Sequence, residues 1–322
     1  MRSPLQGGLP PTGAVAGAVV EIACDESGFS GSNLLDPATP VITHASVDLS
    51  GPEAVELITE LRSGFRFSPH ELKSGQFLRR PRAGEALEWF LTALRGRAQV
   101  YLVDKEFFLV TRIVDLLLSE PSYAAGTRLA LDRRPAALAL YRAGRAAGND
   151  WDEFLAAFVD LVRIKRRPPA QPGVDRFFQA RDALARHGLG EPVLDALDPG
   201  VVWAVLTRLD RDDRTIPPPL EPLLPALAET VLFWSGGQRQ VLVFHDEQSA
   251  LTADRLTRLK QALTGPAGVS PLAGLVMVDS RDDPRVQVAD LLAGVVRRPR
   301  GIIGDALLQP LISPTSLRDP DA

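Results

Sequence analysis

AVVEIACDESG, residues 18–28, is the stretch on which the fold turns. Val19, Val20 and Ile22 favour an extended chain, and Glu26-Ser27-Gly28 favours a turn, so the segment reads as a strand that stops just after Asp25. A second β-rich run, PVITHASVDL at 40–49, follows after a modest loop, and the pair predicts an antiparallel hairpin with a long tip. Beyond it, Ser50-Gly51-Pro52 opens a helix to about Arg62. FRFSPHELKSGQF at 65–77 reads as a short strand and a loop. GEALEWFLTALRG at 84–96 reads as a helix from the spacing of Leu87, Phe90, Leu91 and Leu94.

Strand character returns at AQVYLVDKEFF, 98–108, followed by a helix through Val110, Ile113, Val114 and Leu117. From 119 to 236 the texture changes to Ala-, Arg- and Leu-rich helical periods broken by prolines, as in RTIPPPLEPLLPAL at 214–227. The β/α rhythm resumes with RQVLVFHDEQ at 239–248, a helix around 252–264, the strand LAGLVMVDS at 272–280 and a helix near 286–296. The expected fold is therefore α/β: a mixed sheet of about five strands with helices on both faces. Its core is drawn from 19–118 and 237–300, with a helical insertion at 119–236. Residues 1–18 read as a flexible leader and 301–322 as a C-terminal tail whose last ten residues lack order.

Four of these β-like segments end on an aspartate: Asp25, Asp104, Asp246 and Asp279. Parallel strands bring their carboxyl ends to one edge of a sheet, where ligand sites of open α/β sheets lie. An aspartate after a strand also starts turns and caps helices, which accounts for any one of them alone. Gathered carboxylates repel each other and hold their protons unless a cation neutralises them. Hard oxygen donors without a cysteine cluster point to Mg²⁺ or Mn²⁺, and such ions promote in-line cleavage of phosphodiesters by water. Two further acids have suggestive settings. Glu71 lies in HELK, 70–73, beside Lys73, which could meet a phosphate; Asp290 stands three residues after Gln287 in VQVADLLAG, so both can face one site from a helix.

DESG at 25–28, HELK at 70–73, VFHDE at 243–247 and DSRDDPRVQVADLLAG at 279–294 together resemble the bacterial and phage proteins grouped as domain of unknown function 3800, a branch of the ribonuclease H-like superfamily. The resemblance spans about 19–110 and 239–297 and leaves the middle helices aside. It implies a ribonuclease H-like fold and a nuclease acting on RNA or DNA with Mg²⁺ or Mn²⁺, leaving a 3′-hydroxyl and a 5′-phosphate. It makes Asp25 the bridging metal ligand, with Glu71, Asp104 and Asp290 completing the cluster and Asp246 competing with Asp104 for the third position. Glu26 and Gln287 would orient ligands or touch the scissile strand, and Ser27 and Gly28 would shape the turn.

Other classes fit less well. Neither a Gly-x-x-x-x-Gly-Lys loop nor a strand-linked Gly-x-Gly-x-x-Gly occurs, and the four histidines lack a metalloprotease spacing. A single cysteine, Cys24, excludes an internal disulfide, and no apolar run approaches the roughly 20 residues of a membrane span, so a cytoplasmic protein without a membrane partner is expected. The net charge of −4 argues against coating nucleic acid by bulk charge. Arginine patches at 77–84, 163–169 and 295–301 leave local phosphate contact open. The rival expectation is a non-catalytic interaction protein on the same fold, holding a partner with the helical insertion.

Overall fold

The computed structural model describes residues 7–11, 18–28, 33–65, 78, 82–163, 170–188, 192–266, 268–297 and 305–321. HELK, with Glu71 and Lys73, lies outside the described residues, as does the rest of the short strand and loop expected at 65–77, except Phe65, which ends a helix. In chain order the elements are β1 (Val19–Ser27), β2 (Val41–Val47), α1 (Gly51–Phe65), α2 (Ala83–Ala93), β3 (Ala98–Asp104), α3 (Lys105–Leu117) and α4 (Arg134–Arg145). They continue with α5 (Asn149–Val162), α6 (Gln171–Ala185), α7 (Pro199–Asp210), α8 (Leu223–Ser235), β4 (Gln240–Asp246), α9 (Ala253–Ala262), β5 (Leu272–Val278) and α10 (Pro284–Val296).

The strands form one mixed sheet in the order β3-β2-β1-β4-β5. β1 pairs antiparallel with β2, Asp25 opposite Ala45, and parallel with β4, Cys24 opposite His245; β4 and β5 are parallel. Side chains alternate between the two faces of a strand, and the packing follows that alternation. On one face Ala23, Ala45, Val47 and Val100 join α1, α2 and α10 in a core that includes Leu61, Phe90 and Leu292. Fully burying a side chain such as Phe90 contributes about 1.5–3 kcal/mol. On the other face Trp234 of α8 donates from Nε1 to Ser46 Oγ at 2.8 Å.

The chain divides into two compact units. The sheet unit comprises Met1–Phe29, Val41–Leu102 and Ala226–Ser316; the helical unit comprises Ser30–Pro40, Val103–Pro225 and Leu317–Ala322. The expected insertion at 119–236 is thus shifted at both ends. α3 belongs with the helices because nearly all of its residues, from Lys105 to Leu117, are buried there. Most of α8 belongs with the sheet, through Trp234 and through Thr230, whose hydroxyl meets His44 of β2. Within the helical unit Phe154 of α5 stacks on Phe177 of α6, ring centroids 5.3 Å apart.

Two expectations about the termini are corrected. Residues 7–11 are not a loose leader: Leu9 pairs antiparallel with Leu275 of β5, exchanging backbone hydrogen bonds of 2.8 and 2.9 Å. The last ten residues are ordered as far as Asp321, because Ser313, Ser316 and Leu317 are buried and Ser313 N–H donates to Val100 O. Polar composition hid backbone pairing that needs no apolar side chain. No helix among the described residues is long and apolar enough to cross a membrane.

Candidate functional site

Because Cys24 lies opposite His245 in a parallel pair, the next residues are neighbours on strands about 4.8 Å apart: Asp25, two residues before the end of β1, and Asp246, the last residue of β4. Both follow by two residues a member or neighbour of the α10-side core, Ala23 and Phe244, so both project toward that face. Thr43 of β2 fastens α10 there by donating to Ala293 O at 2.8 Å. At the helix start Asp283 caps α10 and accepts from Arg285, whose guanidinium lies 4.2 Å from the Phe244 ring centre on β4. Held at both points, α10 presents Asp290 one turn before Ala293. Asp25, Asp246 and Asp290 all belong to the sheet unit.

Asp25 is only 6% exposed. Burial pushes its carboxyl well above the ordinary range, and the charges of Glu26, Asp290 and Asp246 push the same way. A 2.6 Å hydrogen bond from Glu26 N–H to its Oδ1 opposes them only partly. Asp246 is oriented by Ser280 N–H, which donates to its Oδ1 at 3.0 Å.

Glu26 points to the opposite face. Its Oε1 accepts from Gln248 Nε2 at 2.6 Å, while Oε2 is buried without a hydrogen-bond donor, 3.9 Å from His245 Nε2. Behind it His245 and His44 are wholly buried and stacked, their Nε2 atoms 3.3 Å apart. His245 Nδ1 faces the Asp246 carbonyl at 2.9 Å and must carry hydrogen, and its Nε2 meets His44 Nε2. His44 Nδ1 meets Thr230 Oγ1 at 3.1 Å. Burial, with His245 beside it, lowers the His44 pKa well below the usual value and keeps it neutral.

The other strand-end acids have local duties. Asp104 ends β3, two strands from β1; its Oδ1 accepts from Phe107 N at 2.9 Å as the cap of α3, and Oδ2 accepts from Tyr141 OH at 3.1 Å. Burial raises its pKa. Asp279 shapes a turn, accepting from Arg281 N and Nε at 2.9 and 2.8 Å. Asp246, the alternative to Asp104, is the one whose charge acts on Asp25. Gln287 sits one turn before Asp290 and reaches Arg281 O only at 3.5 Å. Ser27 Oγ accepts from Arg297 Nε at 2.9 Å, and Gly28 has φ +90° with Val41 O 2.5 Å from where a Cβ would stand.

Among the described residues no three carboxylate, imidazole or thiolate groups stand together as a ready-made metal cage. The donors nonetheless match a hard cation in kind and in charge. They are carboxylate oxygens, and burial and like charges outweigh the single hydrogen bond that lowers the Asp25 pKa. Sequence reading passed over Gln248, Thr43 and the histidine pair as a unit, and touched Arg297 only as part of the arginine patch at 295–301. Gln248 alone had a local signal, two residues beyond Asp246 in HDEQ. No protein-family model, no curated protein and no solved structure matches the chain.

Proposed function

We propose that the chain is a metal-dependent phosphodiesterase acting on nucleic acid, with a ribonuclease H-like sheet as its core. The observation that carries this reading is Asp25, buried on the central strand two residues before its end, with the charges of Glu26, Asp290 and Asp246 acting on it. A stable fold gains nothing by burying Asp25 beside three further carboxylates; a cation site does. The mixed five-stranded sheet and the resemblance of DESG and QVAD to the domain of unknown function 3800 family support the same reading.

Asp25, Asp246 and Asp290 would hold Mg²⁺ or Mn²⁺, which when bound lowers the pKa of water and offsets charge on the scissile phosphate. The protein's own contribution is positioning. Ser280 N–H fixes the Asp246 carboxylate, Glu26 N–H fixes that of Asp25, and Thr43 sets the depth of α10 and so of Asp290. Gln248 holds Glu26 against the site from the other face. Glu71, Lys73 and Gln287 remain candidate contributors by resemblance.

The test is cleavage of RNA, DNA and hybrid strands with and without chelator, by wild type and by Asp25→Asn and Asp290→Asn. Each substitution is expected to lower kcat/KM by at least ~100-fold, about 2.7 kcal/mol of lost transition-state stabilisation. Equal activity in wild type and variants would sink the reading. The lack of a ready-made cage among the described residues favours the rival, a non-catalytic interaction protein of the same fold. Titration with Mn²⁺ separates them, since only a metal site gains thermal stability by linkage.

A further inference from the structure

We propose that Arg297 is a phosphate-binding residue of the carboxylate site, taking a non-bridging oxygen of the nucleic-acid backbone; this rests on the nuclease reading above. Arg297 is the residue after α10 and stands seven positions beyond Asp290. Seven residues are nearly two full turns, so it lies on the same side of the helix as Asp290. Its guanidinium is tied to the end of β1, where Nε donates to Ser27 Oγ at 2.9 Å, two residues beyond Asp25. The chain makes room for it: a Cβ at Gly28 would come within 2.7 Å of Arg297 Cδ. Among the described residues Arg297 is in no ion pair, although the protein's other arginines repeatedly pair, as Arg285 does with Asp283. Of its five N–H donors the one on Nε is engaged by serine, and the planar fork of the others suits two phosphate oxygens.

Charge balance supplies the reason for such a residue. Asp25, Glu26, Asp246 and Asp290 repel a polyanion, so the strand needs a cation beside the site to be held in register. The ordinary alternative is that Arg297 only answers the helix dipole at the C-terminus of α10. That use would affect stability and leave the salt dependence of binding untouched.

The experiment uses the full chain carrying Asp25→Asn, with fluorescein-labelled 20-nucleotide RNA, DNA and hybrid probes, and follows binding against salt concentration. Arg297→Ala is expected to weaken binding several-fold and to reduce the slope of log K against log salt by about 0.7–0.9, the loss of one phosphate contact. Arg297→Lys is expected to keep the slope, since the charge remains, and to lose affinity with the fork. In the active chain Arg297→Ala is expected to raise KM more than it lowers kcat. An unchanged slope with Arg297→Ala, or a parent that binds no probe at about 50 mM salt, overturns the inference. If wild type cleaves while that slope stays unchanged, the nuclease reading survives; if wild type cleaves no strand with Mn²⁺ present, both fall.

Discussion

With Asp25 almost wholly removed from water and three carboxylates acting on it, its proton is held more tightly in the folded protein than in the unfolded chain. Between the unfolded pKa of about 3.9 and the raised folded value the native state binds more protons, so this residue's contribution to stability falls as pH rises through that window. At neutral pH the buried charge is a cost, and Asp25→Asn is expected to raise Tm. Relief of about 1 kcal/mol corresponds to ~2–4 °C in a unit of this size. Scanning fluorimetry across a series from acid to neutral pH should show the gap widest at neutral pH and closing in acid; a lower Tm for the variant throughout would mean the carboxylate is structural. The same residue illustrates what sequence can carry about a site. Asp25 and Asp246 are marked in the sequence as aspartates closing β-branched apolar runs, but so are Asp104 and Asp279, and apolar periods do not choose between Asp104 and Asp246. Asp104 and Asp279 occupy the same strand-end position but are engaged as a helix cap and a turn by Phe107 and Arg281, local duties that the residue type allows at any of the four.

The elements hold where their faces match, and Gly144 shows how tightly. It lies in α4 where a Cβ would stand 2.2 Å from ring carbons of Trp151, at the start of α5. Gly144→Ala must push that indole aside, and overpacking of this kind costs about 1–3 kcal/mol, more if the backbone shifts. Chemical denaturation should register the loss, with Gly173→Ala, open to within 4 Å, as the neutral or stabilising control. Elements of the sheet unit were readable to within a few residues: β1, β3, β4 and α10 carry long apolar periods bounded by Gly, Pro or Asp. What could not be read was membership. α3 follows β3 directly yet packs with the helices, and α8 packs beneath β2, because tertiary contacts such as Trp234 to Ser46 join residues 188 positions apart. Local periodicity says that a face is apolar, and it is silent on which partner covers it.

Both outer strands of the sheet would expose unpaired backbone, and the chain's own terminal segments cover each of them. Leu9 pairs on β5, while Ile312 and Leu317 bridge in parallel to Val100 and Val103 of β3. On β3, Val100 O accepts from Ser313 N, Leu102 N donates to Ser316 Oγ, and Asp104 N donates to Leu317 O. Ending the chain after Leu311 removes these partners together with the paired hydrogen bonds from Arg142 to Asp319 at 2.6 and 2.8 Å. The ion pair matters little, because Arg142 is 44% exposed and such pairs contribute about 0–1 kcal/mol; Arg142→Ala should leave Tm nearly unchanged. The truncation should act through the strand edge instead. Leu317 and Ser316, nearly fully buried, leave apolar and polar gaps behind them, and a bare β3 offers itself to another chain. Light scattering is therefore expected to show concentration-dependent association of the truncated chain, with Tm lower by several degrees. A truncated protein that stays monodisperse with an unchanged Tm would show that the terminal segment covers the edge without protecting it.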